Sequence, residues 1–284
     1  MNIKNVCVVG GGMMGRQIAL GIAKCGFSVW VTDSNKSVLE QMSAWVKEYL
    51  AGRVAKGRMS TEEVGALQER LHITECLETA VKDADLVIEA IFEDENAKHE
   101  IFQKISNAAK DSAILTTNSS TMVSSTFMAD VKDPARLANF HYFNPALVME
   151  LIEVVKGDHT SEETVQELME FARAIEKTPV LLRREVEKFI TNRIISAIAN
   201  EAYWLVENGY CTFEDVDIAC EKGAGHKMGP FRSKDLTGID RNFLMMQAEF
   251  EKTGKKPVGY ELLKEQYELG RYGRKTGHGF YDYE

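Results

Sequence analysis

The chain has 284 residues, 44% of them hydrophobic and 27% charged, which suits one or two globular domains with a substantial core. A formal net charge of −9 removes any general electrostatic reason to bind nucleic acid or an anionic membrane surface. No uncharged apolar run approaches spanning length, and the N-terminus reads as a strand rather than a signal peptide.

Val6 to Val9 is a short apolar, β-favouring run that leads into Gly10, Gly12 and Gly15 in G-x-G-x-x-G spacing. Arg16 to Cys25 reads as a helix with Ile18, Ile22 and Cys25 on one side, and a second apolar run, Phe27 to Val31, is followed by Asp33. Strand, glycine turn, helix, strand and terminal acid together make a dinucleotide-binding βαβ unit. Gly10 permits the tight turn, Gly12 lets the backbone approach a pyrophosphate, and Gly15 lets helix and strand pack closely. Met13 and Met14 belong to the same loop at the helix start, whose free N–H groups and dipole favour the diphosphate. Asp33 would accept hydrogen bonds from the adenosine ribose, favouring NAD and repelling the 2′-phosphate of NADP.

Ser34 and Asn35 can open a helix through Leu39, Met42, Val46 and Leu50. Arg53, Lys56 and Arg58 cluster at its end; such a cluster is a solvated face or, beside a second phosphorylated ligand, a phosphate site. Ser60-Thr61-Glu62-Glu63 reads as a new helix start. Asp85-Leu86-Val87-Ile88-Glu89 is a buried strand, with Glu93, Asn96 and Lys98 in the polar loop after it, then a helix through Ile101, Phe102 and Ile105. Ala113 to Thr117 is a strand running into Asn118-Ser119-Ser120-Thr121, where ligands meet α/β sheets. Either Ser119 or Ser120 can cap the next turn, leaving the other to face a ligand.

Leu137 to Phe143 and Leu151 to Val155 are further strands. His141 stands out among six histidines because it ends a strand before Asn144-Pro145, with Glu153 on the next strand. Ser161 to Lys177 is an amphipathic helix, and Val180 begins a last strand. From about residue 185 the pattern turns helical, over Phe189–Asn208, Thr212–Cys220, Phe231–Phe250 and Val258–Gly270. The expected fold is an α/β, Rossmann-type domain with a mostly parallel sheet over 1–184, then an all-α domain over 185–284. The first of those helices is so apolar that it calls for cover from its own domain or a partner subunit. The five cysteines are dispersed and contain no C-x-x-C pair, so they read as reduced, buried thiols of a cytoplasmic protein, with no metal site.

In order and spacing these motifs resemble the 3-hydroxyacyl-CoA dehydrogenase family, the short bacterial 3-hydroxybutyryl-CoA dehydrogenases most of all. The resemblance runs through Asp85–Ala90, Thr117–Ser120, His141–Pro145, Glu150–Val155, Phe189–Ile194, Met228–Pro230 and Gly273–Tyr281. It implies reversible oxidation of an (S)-3-hydroxyacyl-CoA by NAD in butyrate or fatty-acid metabolism. His141 falls on the family's base and Glu153 on its partner; Ser120 and Asn192 fall on the contacts to the substrate oxygen. Glu93, Lys98 and Asn118 match positions along the nicotinamide half of the cofactor. Lys56, with Arg53 near it, matches a position for the phosphates of coenzyme A, although Gly52 replaces a common lysine. Glu187-Lys188 stands where Pro-Gly is usual. The resemblance also implies a homodimer through the helical domain. Two other readings are an enzyme of a free hydroxy acid or sugar acid on the same scaffold, and a non-enzymatic NAD(H)-binding protein.

Overall fold

The run Val6–Val9 becomes β1 (Asn5–Val9), buried on both sides as expected for a central parallel strand. Alternation along it divides two cores: Val6 and Val8 face one, Cys7 and Val9 the other. The structure, a computed structural model, describes residues 2–284. The remaining strands are β2 (Ser28–Thr32), β3 (Leu71–Thr74), β4 (Leu86–Glu89), β5 (Ile114–Thr117), β6 (Leu137–Tyr142), β7 (Leu151–Val155) and β8 (Thr178–Leu182). They form one sheet in the order β3-β2-β1-β4-β5-β6-β7-β8. Every neighbouring pair is parallel except β6 with β7. The order reverses between β1 and β4, the switch point at which an α/β sheet opens a crevice.

Helices α1 (Met13–Lys24), α2 (Lys36–Ala55), α3 (Thr61–Arg70), α4 (Leu77–Val81), α5 (Glu95–Ala108) and α6 (Glu162–Ala174) join the strands. The Ser60 start is a capping box: Ser60 Oγ accepts from Glu63 N at 3.2 Å, and Glu63 Oε2 accepts from Ser60 N at 2.7 Å. β3 and α4 are additional to the expected elements. β3 is an edge strand of four half-buried residues, too short and too mixed in polarity to carry a periodic signal.

The chain divides into two compact units between Ile190 and Thr191. The second is helical: α7 (Thr191–Glu207), α8 (Phe213–Ile218), α9 (Pro230–Thr237), α10 (Ile239–Thr253) and α11 (Tyr260–Glu268). Two expected helices are corrected here. Phe231–Phe250 is α9 and α10, broken at Gly238, whose φ of 94° lies outside helical space. The helix expected from Phe189 starts at Thr191, because Lys188 and Phe189 have φ of 65° and 53°. Lys188 thus takes the left-handed conformation for which glycine is suited.

Asp217 and Asp235, both buried, organise this unit. Asp217 accepts from the N–H groups of Phe231 and Arg232 and from Tyr281 Oη. Asp235 accepts from the N–H groups of Phe280 and Tyr281 and from Tyr283 Oη, tying the C-terminal segment down. Around them Tyr203, Phe231, Phe243, Leu263 and Phe280 form the core. The cysteines are all free thiols; Cys7 is buried and its thiol pushed up in pKa by that burial, while Cys76 is exposed, contrary to the expectation that all five are buried.

Candidate active site

The glycine turn is built by contact as well as by flexibility. A Cβ on Gly15 would lie 1.8 Å from Gly10 O, and one on Gly10 would lie 2.5 Å from Ala90 O. Gly12, at the N-cap of α1, faces nothing within 4 Å, and no side chain caps the helix there. The open turn and the uncapped helix N-terminus suit a diphosphate. Asp33 lies just beyond β2 and braces the turn: Oδ2 accepts from Gly11 N and Oδ1 from Asn35 N, both at 2.9 Å. Each oxygen keeps a further lone pair for a ribose hydroxyl. Gly10, Gly12, Asp33, Val38 and Cys76 line part of a cleft of about 900 Å³ at this end of the sheet. Met13 is exposed at the mouth of the turn, whereas Met14 packs against the core.

Next along the sheet, Glu89 ends β4 fully buried, an acid at the close of an otherwise apolar strand. Its Oε1 accepts from Lys98 Nζ at 2.7 Å and from Ile91 N at 2.8 Å, and its Oε2 from Thr117 Oγ1 at 2.6 Å. Lys98, on the first turns of α5, is buried and also lies 3.3 Å from Glu93 Oε2. Glu93 Oε1 in turn accepts from Ser119 Oγ and from Thr121 Oγ1 at 2.7 Å. Burial alone raises the Glu93 carboxyl pKa; the Ser119 hydroxyl, the Lys98 charge and the Thr121 hydroxyl outweigh it and hold Glu93 below the usual carboxylate range. An acid at the end of an apolar strand, with a lysine nine residues on, was the available sequence signal for Glu89.

Ser119 Oγ also accepts from the N–H groups of Thr121 and Met122, so it is the serine that caps the turn. Ser120 is half-buried and its hydroxyl bonds to no other described residue. Asn118 Oδ1 accepts from Tyr142 N at 2.9 Å, drawing the 118–120 loop beside the end of β6. There His141 stands directly opposite Glu153 in the antiparallel β6–β7 register, both buried. His141 Nδ1 lies 2.9 Å from Glu153 Oε2. With the carboxylate accepting, Nδ1 carries the proton and Nε2 is the nitrogen that can take one. Phe143 and Phe189 flank the imidazole, their ring centroids 4.6 and 5.3 Å from it.

The remaining expected residues are at helix ends. Arg53 is in the last turn of α2 and Lys56 caps it; with Trp45, Glu48, Tyr49 and Arg58 they border a hollow of about 420 Å³. Asn192, half-buried, is in the first turn of α7 in the helical unit.

Residues 5–186 match the sequence pattern of the 3-hydroxyacyl-CoA dehydrogenase NAD binding domain, and residues 189–283 that of the 3-hydroxyacyl-CoA dehydrogenase C-terminal domain. A probable 3-hydroxyacyl-CoA dehydrogenase of Caenorhabditis elegans is 36% identical over 99% of this chain and 93% of its own length. A probable 3-hydroxybutyryl-CoA dehydrogenase of Bacillus subtilis is 35% identical over 100% of this chain and 99% of its own. Among solved structures, a diketoreductase described for dual catalysis of dicarbonyl compounds superposes with a TM-score of 0.90 at 29% identity, covering 100% of both chains.

The depressed Glu93 pKa makes an acid-stability prediction. A carboxylate held below its ordinary value of 4.5 contributes stability that is complete above that value and is lost as pH falls through the lower, folded-state value. Urea midpoints followed from neutrality down to about pH 3 will fall less steeply below pH 4.5 in Glu93→Gln than in the wild type. Equal acid slopes would show that Glu93 is not held by these contacts.

Proposed function

The chain belongs to the 3-hydroxyacyl-CoA dehydrogenase family and is an NAD-dependent enzyme, and from that premise we propose that it interconverts (S)-3-hydroxybutyryl-CoA, or a similar short 3-hydroxyacyl-CoA, with the 3-oxoacyl-CoA. The observation that carries this is the buried His141–Glu153 pair, with Nδ1 engaged and Nε2 left for proton transfer. In the oxidative direction the C3 hydroxyl proton passes to His141 Nε2 and the C3 hydrogen leaves with its electron pair. NAD, when bound, is the acceptor of that hydride. Glu153 orients the imidazole and stabilises the imidazolium, the part an acid plays behind a catalytic histidine. Ser120 and Asn192 donate hydrogen bonds to the substrate oxygen as its charge changes.

Gly10, Gly12, Met13, Met14 and Gly15 take the cofactor's diphosphate end and Asp33 its adenosine ribose. Glu93, Lys98 and Asn118 border the nicotinamide half. Arg53 and Lys56 meet phosphates of coenzyme A, a reading supported by the three cations that outnumber Glu48 around the hollow at the end of α2. The unpaired thiols suit a reducing compartment such as the cytoplasm, and butyrate or fatty-acid metabolism is the setting in which this reaction is used. No helix is long and apolar enough to cross a membrane among the described residues.

Likeness to the diketoreductase favours a second reading, reduction of a free dicarbonyl compound. With NADH, turnover of acetoacetyl-CoA far above that of free acetoacetate supports the thioester reading, and the reverse order supports the second. His141→Gln should bind NADH and lower kcat by about 10²–10⁴-fold, the usual worth of a general base. Near-normal turnover would remove His141 from the chemistry. Asp33→Ala should lose most discrimination between NADH and NADPH in kcat/KM; an unchanged ratio would count against the ribose contact.

Ile194, Trp204, Leu244 and Met245 are exposed apolar side chains of the helical unit, which supports a homodimer through it. Light scattering at micromolar concentration should give twice the chain mass of 31.9 kDa; a monomer mass would refute the assembly.

A further inference from the structure

The helical unit has a hollow of its own, about 110 Å³ in volume, between α7 and α9. Ile195, Ile198 and Ala199 of α7 form one wall, and Met228 leads to another. The apolar lining is interrupted by His226 and by Ser233 and Lys234 of α9. Lys234 is the anomaly. Its Nζ donates to Asn242 Oδ1 at 3.1 Å, and among the described residues no carboxylate lies within 4.0 Å of it. Its pKa is drawn below the ordinary lysine value by burial. A half-buried cation at the wall of a partly apolar hollow, held only by a neutral amide, is costly until an anion meets it.

We propose that this hollow takes the tail of the acyl group and that Lys234 binds a carboxylate at the tail's far end, making 3-hydroxyacyl thioesters of dicarboxylic acids the preferred substrates. The inference rests on the reading above in which Asn192 contacts the substrate oxygen. Asn192 opens α7, and Ile195 and Ala199 follow on the same face, about 4.5 and about 10.5 Å further along the axis. An acyl chain laid along that face from Asn192 reaches the hollow within a few carbons. Ile195, Ile198 and Met228 cover its methylenes, and Ser233 Oγ and Lys234 Nζ donate to the terminal carboxylate. A neutral tail of the same length would leave the ammonium without a counter-charge, and the resulting penalty is the source of discrimination.

The test compares kcat/KM with NADH for 3-oxoadipyl-CoA, which ends in a carboxylate, and 3-oxohexanoyl-CoA, its neutral counterpart. Acetoacetyl-CoA is measured alongside. The wild-type ratio should favour 3-oxoadipyl-CoA by about 10-fold or more, the scale of a charge-assisted hydrogen bond. Lys234→Met should collapse that ratio towards one or invert it, while Lys234→Arg should keep most of it. A wild-type ratio near one, or a ratio unchanged by Lys234→Met, overturns the subsite; with acetoacetyl-CoA still turned over, the thioester reading survives. Failure to turn over any of the three thioesters overturns both.

Discussion

The antiparallel pairing of β6 with β7 is the constraint on which the rest of the site depends. In a sheet otherwise built from parallel neighbours, this one reversal places His141 and Glu153 as directly opposed residues. Opposed residues in such a pair have Cβ atoms about 4.5–5.5 Å apart, within direct side-chain reach. A one-residue slip would turn one of the two to the other face of the sheet. Both strands of the pair are buried, and Phe140, Ile152 and Val154 belong to one continuous core, so such a slip would take apolar side chains out of that core and turn polar ones into it. Hydrophobic packing therefore holds the acid and the imidazole in register.

The same logic holds at the end of β4. Removing one partner of a buried ion pair costs about 3–5 kcal/mol because the other charge is stranded. Glu89 and Lys98 are such a pair, and the Thr117 hydroxyl and Ile91 N–H occupy further lone pairs of the carboxylate. The network continues through Glu93 to Ser119, whose hydroxyl caps its own turn. Ser119 is thereby committed to structure, and Ser120 is the neighbour left with a free hydroxyl. The polar cluster at the carboxyl edge of the sheet thus fixes the loop that presents Ser120 and Asn118.

Phe189 shows strain and packing balanced against each other. Two consecutive left-handed residues, Lys188 and Phe189, cost roughly 1–3 kcal/mol each. Full burial of the Phe189 side chain with Val155, Leu182 and Val123 returns roughly 1.5–3 kcal/mol. The turn delivers an aromatic ring against His141 just before the chain enters the helical unit.

Much was determined by the sequence alone. Val6 to Gly15 with Asp33 specifies the βαβ unit and its nucleotide, because glycine spacing, strand composition and a helix start are local properties. The ordered motifs from Asp85 to Tyr281 identified the family and pointed to His141 and Glu153. Other features had no local signature. Edge strand β3 exists by pairing with β2, and the break at Gly238 follows from a backbone angle that the apolar pattern of Phe231–Phe250 does not encode. Glu89 reads as the last residue of an apolar strand until folding brings Lys98 and Thr117 to it. Which of two adjacent serines caps and which stays free, and that Lys234 borders a hollow with no carboxylate within 4.0 Å among the described residues, are decided by neighbours distant in the chain. Local chemistry is written residue by residue, whereas burial and partnership of charge exist only once the chain has packed.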